Sequence, residues 1–134
     1  MNTEDFVTYE QAFALSKLGF NEETFTYYDK DNPKLQGLDD YYEYHLDNHT
    51  YFDQSASAPT LSQAQKWLRK IKKLFVEVEI DVTNTEKDIF FWTIYSLPNK
   101  EQNYIMKYYD SYEEALSDGI TECLKLLKIN YKNN

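Results

Sequence analysis

The sequence predicts an α+β fold in the element order α-ββ-α-βββ-α, an antiparallel sheet with helices packed mainly on one face and a C-terminal part that reads αβββα. Three observations carry this. Three hydroxyl-led boxes mark helix starts, each a Ser or Thr followed three residues later by Gln or Glu. Between the second and third box the apolar period drops to two, the signature of strands. The polar linkers among those period-two runs are short, which favours antiparallel neighbours.

The boxes are Thr8-Tyr9-Glu10-Gln11, Thr60-Leu61-Ser62-Gln63 and Ser111-Tyr112-Glu113-Glu114. In each, the hydroxyl can accept from the N3 amide while the N3 side chain reaches back to the cap amide. The first helix is expected from about Tyr9 to Leu18, with Ala12, Leu15, Ser16 and Leu18 inward. Gly19 then supplies the left-handed C′ position and Phe20 the C″ contact. The second is expected from about Leu61 to Lys73, with a stripe of Leu61, Ala64, Leu68 and Ile71 and Trp67 on its flank. The third runs from about Tyr112 to Leu127 on Leu116, Ile120, Cys123, Leu124 and Leu127. Gly119 inside it costs about 1 kcal/mol against Ala, which close approach to a sheet or a bulky neighbour would explain.

Val76, Val78, Ile80 and Val82 alternate with Glu77, Glu79 and Asp81, a half-buried strand with an acidic outer face. Ile89 to Ser96 is apolar on both faces and reads as a central strand; Asn103 to Tyr109 reads as its neighbour. Earlier in the chain, Glu23 to Asp29 and Tyr41 to Leu46 read as two strands joined by a turn-like stretch with Pro33 and Gly37. Residues 47–58 read as a loop.

The length of 134 residues fits a single domain, 1–134. No apolar run approaches the roughly 18 residues of a membrane span, and the acidic Met1-Asn2-Thr3-Glu4-Asp5 start lacks the apolar core of a signal peptide. One cysteine, Cys123, excludes an internal disulfide and fits a reducing cytoplasm. The net charge of −9 is uneven: residues 1–65 carry −9, residues 66–73 carry +5 and residues 74–134 carry −5. Such a chain repels phosphate backbones except through the cluster Lys66, Arg69, Lys70, Lys72 and Lys73, which also reads as cations complementing a helix C-terminus.

Other chemistry is sparse. His45 and His49 share a face on either a helix or a strand, a weak metal-site pattern that reads more simply as two solvated histidines. Cys123 sits on an apolar stripe, where a thiol is an inert small hydrophobe. Phosphate loops, nucleophile elbows, HExxH and CxxC are missing, so no catalytic residue and no cofactor is expected. Tyr27, Tyr28, Tyr41, Tyr42, Tyr44, Tyr51 and Phe52, with Phe25, crowd the first half among acids, a protein-binding composition.

Three blocks resemble a known family. Thr8-Tyr9-Glu10-Gln11-Ala12 through Leu18-Gly19-Phe20, Ala58-Pro59-Thr60-Leu61-Ser62-Gln63-Ala64-Gln65-Lys66-Trp67-Leu68-Arg69, and Tyr109-Asp110-Ser111-Tyr112-Glu113-Glu114-Ala115 are similar to small uncharacterised proteins of gut anaerobic bacteria and their prophages. That resemblance implies a cytosolic, mobile-element setting and brings no activity, cofactor or catalytic residue. The α-β-β-β-α order is also similar to the double-stranded-RNA-binding domain, but the last helix here opens with acids where that domain needs lysines. The expectation is an acidic cytoplasmic protein that binds another protein and is not an enzyme. The alternatives are nucleic-acid binding through the basic cluster and an enzyme of unknown type.

Overall fold

A computed structural model describes residues 2–38, 54–104 and 107–132. Its elements are a 3-10 turn at Thr3–Asp5, α1 (Tyr9–Lys17), β1 (Tyr27–Asp29), β2 (Ser55–Ser57), α2 (Leu61–Trp67) continued as a π-helix over Leu68–Lys72, β3 (Leu74–Ile80), β4 (Phe90–Ser96), β5 (Glu101–Tyr104) and α3 (Tyr112–Lys132). This is the expected α-ββ-α-βββ-α order. The strands lie in two antiparallel sheets, β1-β2 and β3-β4-β5, in place of the one sheet expected. The chain divides into two compact units, 1–63 and 64–134. Among the described residues no helix is long and apolar enough to cross a membrane.

In the first unit, both halves of the Thr8 box form: Gln11 N–H donates to Thr8 Oγ1 at 3.2 Å, and Thr8 N–H donates to Gln11 Oε1 at 2.8 Å. The helix ends as its glycine dictates. Gly19 has φ +99°, its N–H donates to Ser16 O and Phe20 N–H donates to Leu15 O, the paired bonds of a Schellman stop. Ala12, Leu15 and Phe20 are buried, whereas Ser16 and Leu18 are only half-buried. The expected Glu23–Asp29 strand is shortened to three residues because Thr24 and Thr26 spend their hydroxyls on carbonyls, Thr24 on Thr26 O at 2.9 Å and Thr26 on Ala58 O at 2.6 Å. β1 pairs with Ser55–Ser57, inside the stretch expected to be a loop. Small side chains hid this strand: Ala56 and Ser57 are buried, yet neither carries a β-branched or aromatic signal. The expected strand Tyr41–Leu46 lies outside the described residues.

In the second unit, β4 is the central strand of a meander, paired with β3 from Leu74↔Ser96 to Ile80↔Phe90 and with β5 from Thr93↔Tyr104 to Ser96↔Glu101. The third strand begins earlier than expected, at Glu101, and Tyr109 returns to β4 as an isolated bridge to Phe90. Helix α3 lies on the face that carries Val76, Trp92 and Ile94, burying Leu116, Ile120, Cys123 and Leu124. A Cβ built on Gly119 would stand 2.6 Å from Val76 Cγ1 and 3.3 Å from Trp92 Cβ, which is the close approach that the mid-helix glycine foreshadows.

The second helix departs from its expected stripe. Ile71 is 60 % exposed and Trp67 is 5 % exposed, the reverse of a regular α-helical reading. The π-turn over Leu68–Lys72 inserts an extra residue into the turn, so Ile71 rotates off the line set by Leu61, Ala64 and Leu68. Lys73 closes it in the left-handed region at φ 59°.

Candidate functional site

The most elaborate polar arrangement among the described side chains sits in the second unit, where β4, the segment before α3 and α3 itself converge. Trp92 points inward from β4 because it alternates with Phe91 and Thr93. Two backbone bonds, Phe90 N–H to Tyr109 O at 2.9 Å and Tyr109 N–H to Phe90 O at 2.8 Å, fix Tyr109 beside that strand. Asp118 precedes the glycine at which α3 touches the sheet. Trp92 Nε1–H donates to Tyr109 Oη at 3.2 Å and to Asp118 Oδ2 at 3.1 Å, and the Tyr109 hydroxyl donates to the same carboxylate oxygen. The Lys107 ammonium stands 5.2 Å from the Tyr109 ring centre.

Burial pushes the Tyr109 phenol up to about 12, helped by the Asp118 carboxylate and the more distant Glu122, with the Trp92 hydrogen bond working the other way. A phenol held this firmly protonated is a donor and not a base. The cluster therefore acts as a three-way clamp that satisfies an indole, a phenol and a carboxylate at once. Tyr109 and Asp118, but not Trp92, line an open depression of about 480 Å³ together with Lys107, Tyr108, Asp110, Glu114, Ser117 and Thr121. Cys123 is buried nearby in the sequence, and burial pushes its thiol up to about 12, so it is not a thiolate nucleophile at neutral pH.

The residues singled out by sequence fall in different places. Tyr28 is not a surface residue: it is 6 % exposed, its hydroxyl donates to Val7 O at 2.8 Å and its ring meets Tyr9 edge-on at 5.8 Å. Burial and the Glu10 carboxylate raise its phenol above the usual tyrosine range. It leaves the interface candidates, because a short strand with one inward position needs a large side chain to fill it. Tyr27 is half-buried beside it. Tyr41, Tyr42, Tyr44, Tyr51, Phe52, His45 and His49 lie outside the described residues. Lys66, Lys70 and Lys73 are exposed, with Arg69 and Lys72 half-buried, and none of the five makes an ion pair among the described residues. Lys72 lies 5.6 Å from the Trp67 ring centre. Among the described residues no group of three or more His, Cys, Asp or Glu could hold a metal ion.

Of the aromatics singled out by sequence, Phe25 is 51 % exposed, whereas the exposed Tyr108 and Tyr112 were not part of that cluster. Tyr108, 46 % exposed, packs edge-on against Phe91 at 6.2 Å; Tyr112, 43 % exposed, packs edge-on against Phe90 at 6.2 Å. Phe90 and Phe91 point to opposite faces of β4, so the two pairs sit on either side of the sheet. No protein-family model, curated protein or solved structure matches the chain.

Proposed function

We propose that this chain is a non-enzymatic accessory module, of the prophage-related kind its resemblance implies, that binds a partner protein. The observation that supports this reading is the pair of solvent-facing tyrosines, Tyr108 and Tyr112, each braced by a phenylalanine of β4. A braced ring presents apolar area with little rotamer freedom left to lose, the property that makes tyrosine a frequent energetic anchor at interfaces. The net charge of −9 adds a bias toward partners with basic surfaces and speeds their encounter. The test is site-specific photocrosslinking in extract of the encoding organism, with the crosslinker at position 108, at position 112 or at the exposed control position Lys17. One protein captured from 108 or 112 and not from 17 supports the reading; no adduct from either tyrosine position overturns it.

A second reading has one feature in its favour, the five cations around the end of α2, none of them in an ion pair among the described residues. Against it stand the overall charge and the presence of a single arginine, the side chain best suited to fork onto phosphate. A gel shift at about 50 mM salt separates the two, since phosphate contacts are strongest at low salt. The protein-binding reading expects no retardation.

A further inference from the structure

We infer that the partner supplies a basic amphipathic segment, and that it docks where Ile80, Phe90 and Tyr112 meet at one end of the three-stranded sheet; this deepens the protein-binding reading and rests on it. Ile80 and Phe90 are the last cross-strand pair of β3 and β4. The flanking residue Asp81 donates its N–H to Ile89 O at 2.9 Å, so Ile80 and Phe90 form a non-hydrogen-bonded pair, the kind whose side chains stand closest. They share the face that α3 covers over Val76 and Trp92. Helix α3 begins only at Tyr112, however, and Tyr112 turns its ring edge-on to Phe90. Further along the same face Trp92 is buried, while Ile80 remains 45 % exposed and Tyr112 nearly as much. An isoleucine, a phenylalanine and a tyrosine thus form an apolar step at the helix's leading edge, open to solvent.

The surroundings of that step say what can cover it. The two segments that build it, residues 80–90 and 109–113, contain Asp81, Glu86, Asp88, Asp110 and Glu113 against a single cation, Lys87, for a net charge of −4. Lys87 is engaged by Asp110 at 3.5 Å. An apolar centre with an acidic border matches a segment whose apolar residues recur at helical spacing and whose flanks carry Lys or Arg. A second copy of this chain would bring another −9 to the contact, and an anionic lipid surface or a nucleic acid would be repelled in the same way. The occupant is therefore a cationic amphipathic helix of another protein.

The probe is a synthetic Leu/Lys amphipathic helical peptide, with a Leu/Glu peptide of the same apolar pattern as control, followed by backbone amide NMR on the whole chain. The expected result is a set of shifts confined to residues around 80, 90 and 109–113 with the Lys peptide only, weakening as salt rises. Ile80→Thr combined with Tyr112→Ser should weaken binding about tenfold or more, as loss of interface anchors does, with Tyr108→Ser leaving it unchanged. Both substituted side chains are partly exposed; should the double variant melt early, Ile80→Thr with Glu113→Gln replaces it and should weaken binding in the same direction. Equal binding of the Leu/Glu peptide, undiminished binding by the variants, or self-association that Ile80→Thr abolishes would each overturn the proposal. Sensitivity to Tyr108→Ser in place of the Ile80 and Tyr112 changes would overturn this surface and leave protein binding standing, whereas failure of photocrosslinking from both tyrosine positions removes protein binding itself.

Discussion

Gly119 of α3 and Val76 of β3 approach so closely that a Cβ on the glycine would lie 2.6 Å from Val76 Cγ1. The helix axis is brought down onto the sheet at this point, and the same contact places the neighbouring Asp118 within reach of Trp92 Nε1. The glycine thus sets both the helix-to-sheet spacing and the clamp beside it.

Gly119→Ala should destabilise the protein although alanine is the better helix former by about 1 kcal/mol. The opposing cost is overpacking against a β-branched side chain that has no flexible end to move, typically about 1–3 kcal/mol. Urea unfolding of Gly119→Ala, Val76→Ala and the double variant checks this. The double variant should be more stable than the sum of the single losses, because removing the Val76 methyl group opens the space the new Cβ needs.

Asp118→Ala should cost about 1–3 kcal/mol, since it strips the shared acceptor from the Trp92 N–H and the Tyr109 hydroxyl. Asp118→Asn keeps an acceptor oxygen and should cost less. It also removes the negative charge beside Tyr109, so alkaline titration of that phenol, read by tyrosinate absorbance, should move down toward the ordinary tyrosine value.

Stability should fall as pH rises through the alkaline range. The Cys123 thiol and Tyr109 phenol are neutral when protonated, with ordinary values of 9.0 and 10.0, and each is pushed up to about 12 in the folded protein. Between those limits the unfolded chain has released protons that the folded chain retains, so the unfolded state binds fewer protons and the slope of stability against pH is negative. Well below the ordinary thiol value of 9.0 both groups are protonated in both states and neither contributes a slope. Denaturant unfolding across this range should show Cys123→Ala losing the part of the decline that begins near 9, and Tyr109→Phe the part that begins near 10.

Ile71→Ala should change stability by less than about 0.5 kcal/mol, the range for an exposed position. Leu68→Ala, fully buried three residues earlier, should cost about 2–5 kcal/mol. Thermal or denaturant melts of the two variants decide between a π-turn and a regular α-helix here, because a regular helix would bury both residues.

Capping chemistry made the three helices legible. The hydroxyl of each box accepts from the N3 amide in the structure, at Gln11, Gln63 and Glu114. Alternation made β3 legible, since period two is imposed by the pleat itself, and a run apolar on both faces made the central strand β4 legible. β2 escaped because Ser55, Ala56 and Ser57 pack by being small, a property that leaves no periodic mark. The phase of Ile71 escaped because a π-turn has no compositional signature in this stretch. Asp118 lies off the apolar stripe of α3 and is one of many acids, so only the fold could join it to Trp92 and Tyr109. Tyr108 and Tyr112 were likewise hidden among thirteen tyrosines, their exposure being a matter of which β4 ring lies beneath them.

The side-chain amide of Gln65 donates to Val76 O at 2.7 Å. In β3 the odd-numbered residues face β4 with their backbone groups, as Lys73 O accepting from Leu97 N–H and Asp81 N–H donating to Ile89 O show, so the Val76 carbonyl points to the outer border of the sheet. A glutamine from α2 thus occupies a position that an added strand would need. Templated growth of the sheet along that border, the first step toward a cross-β fibre, would have to break this bond before it could begin.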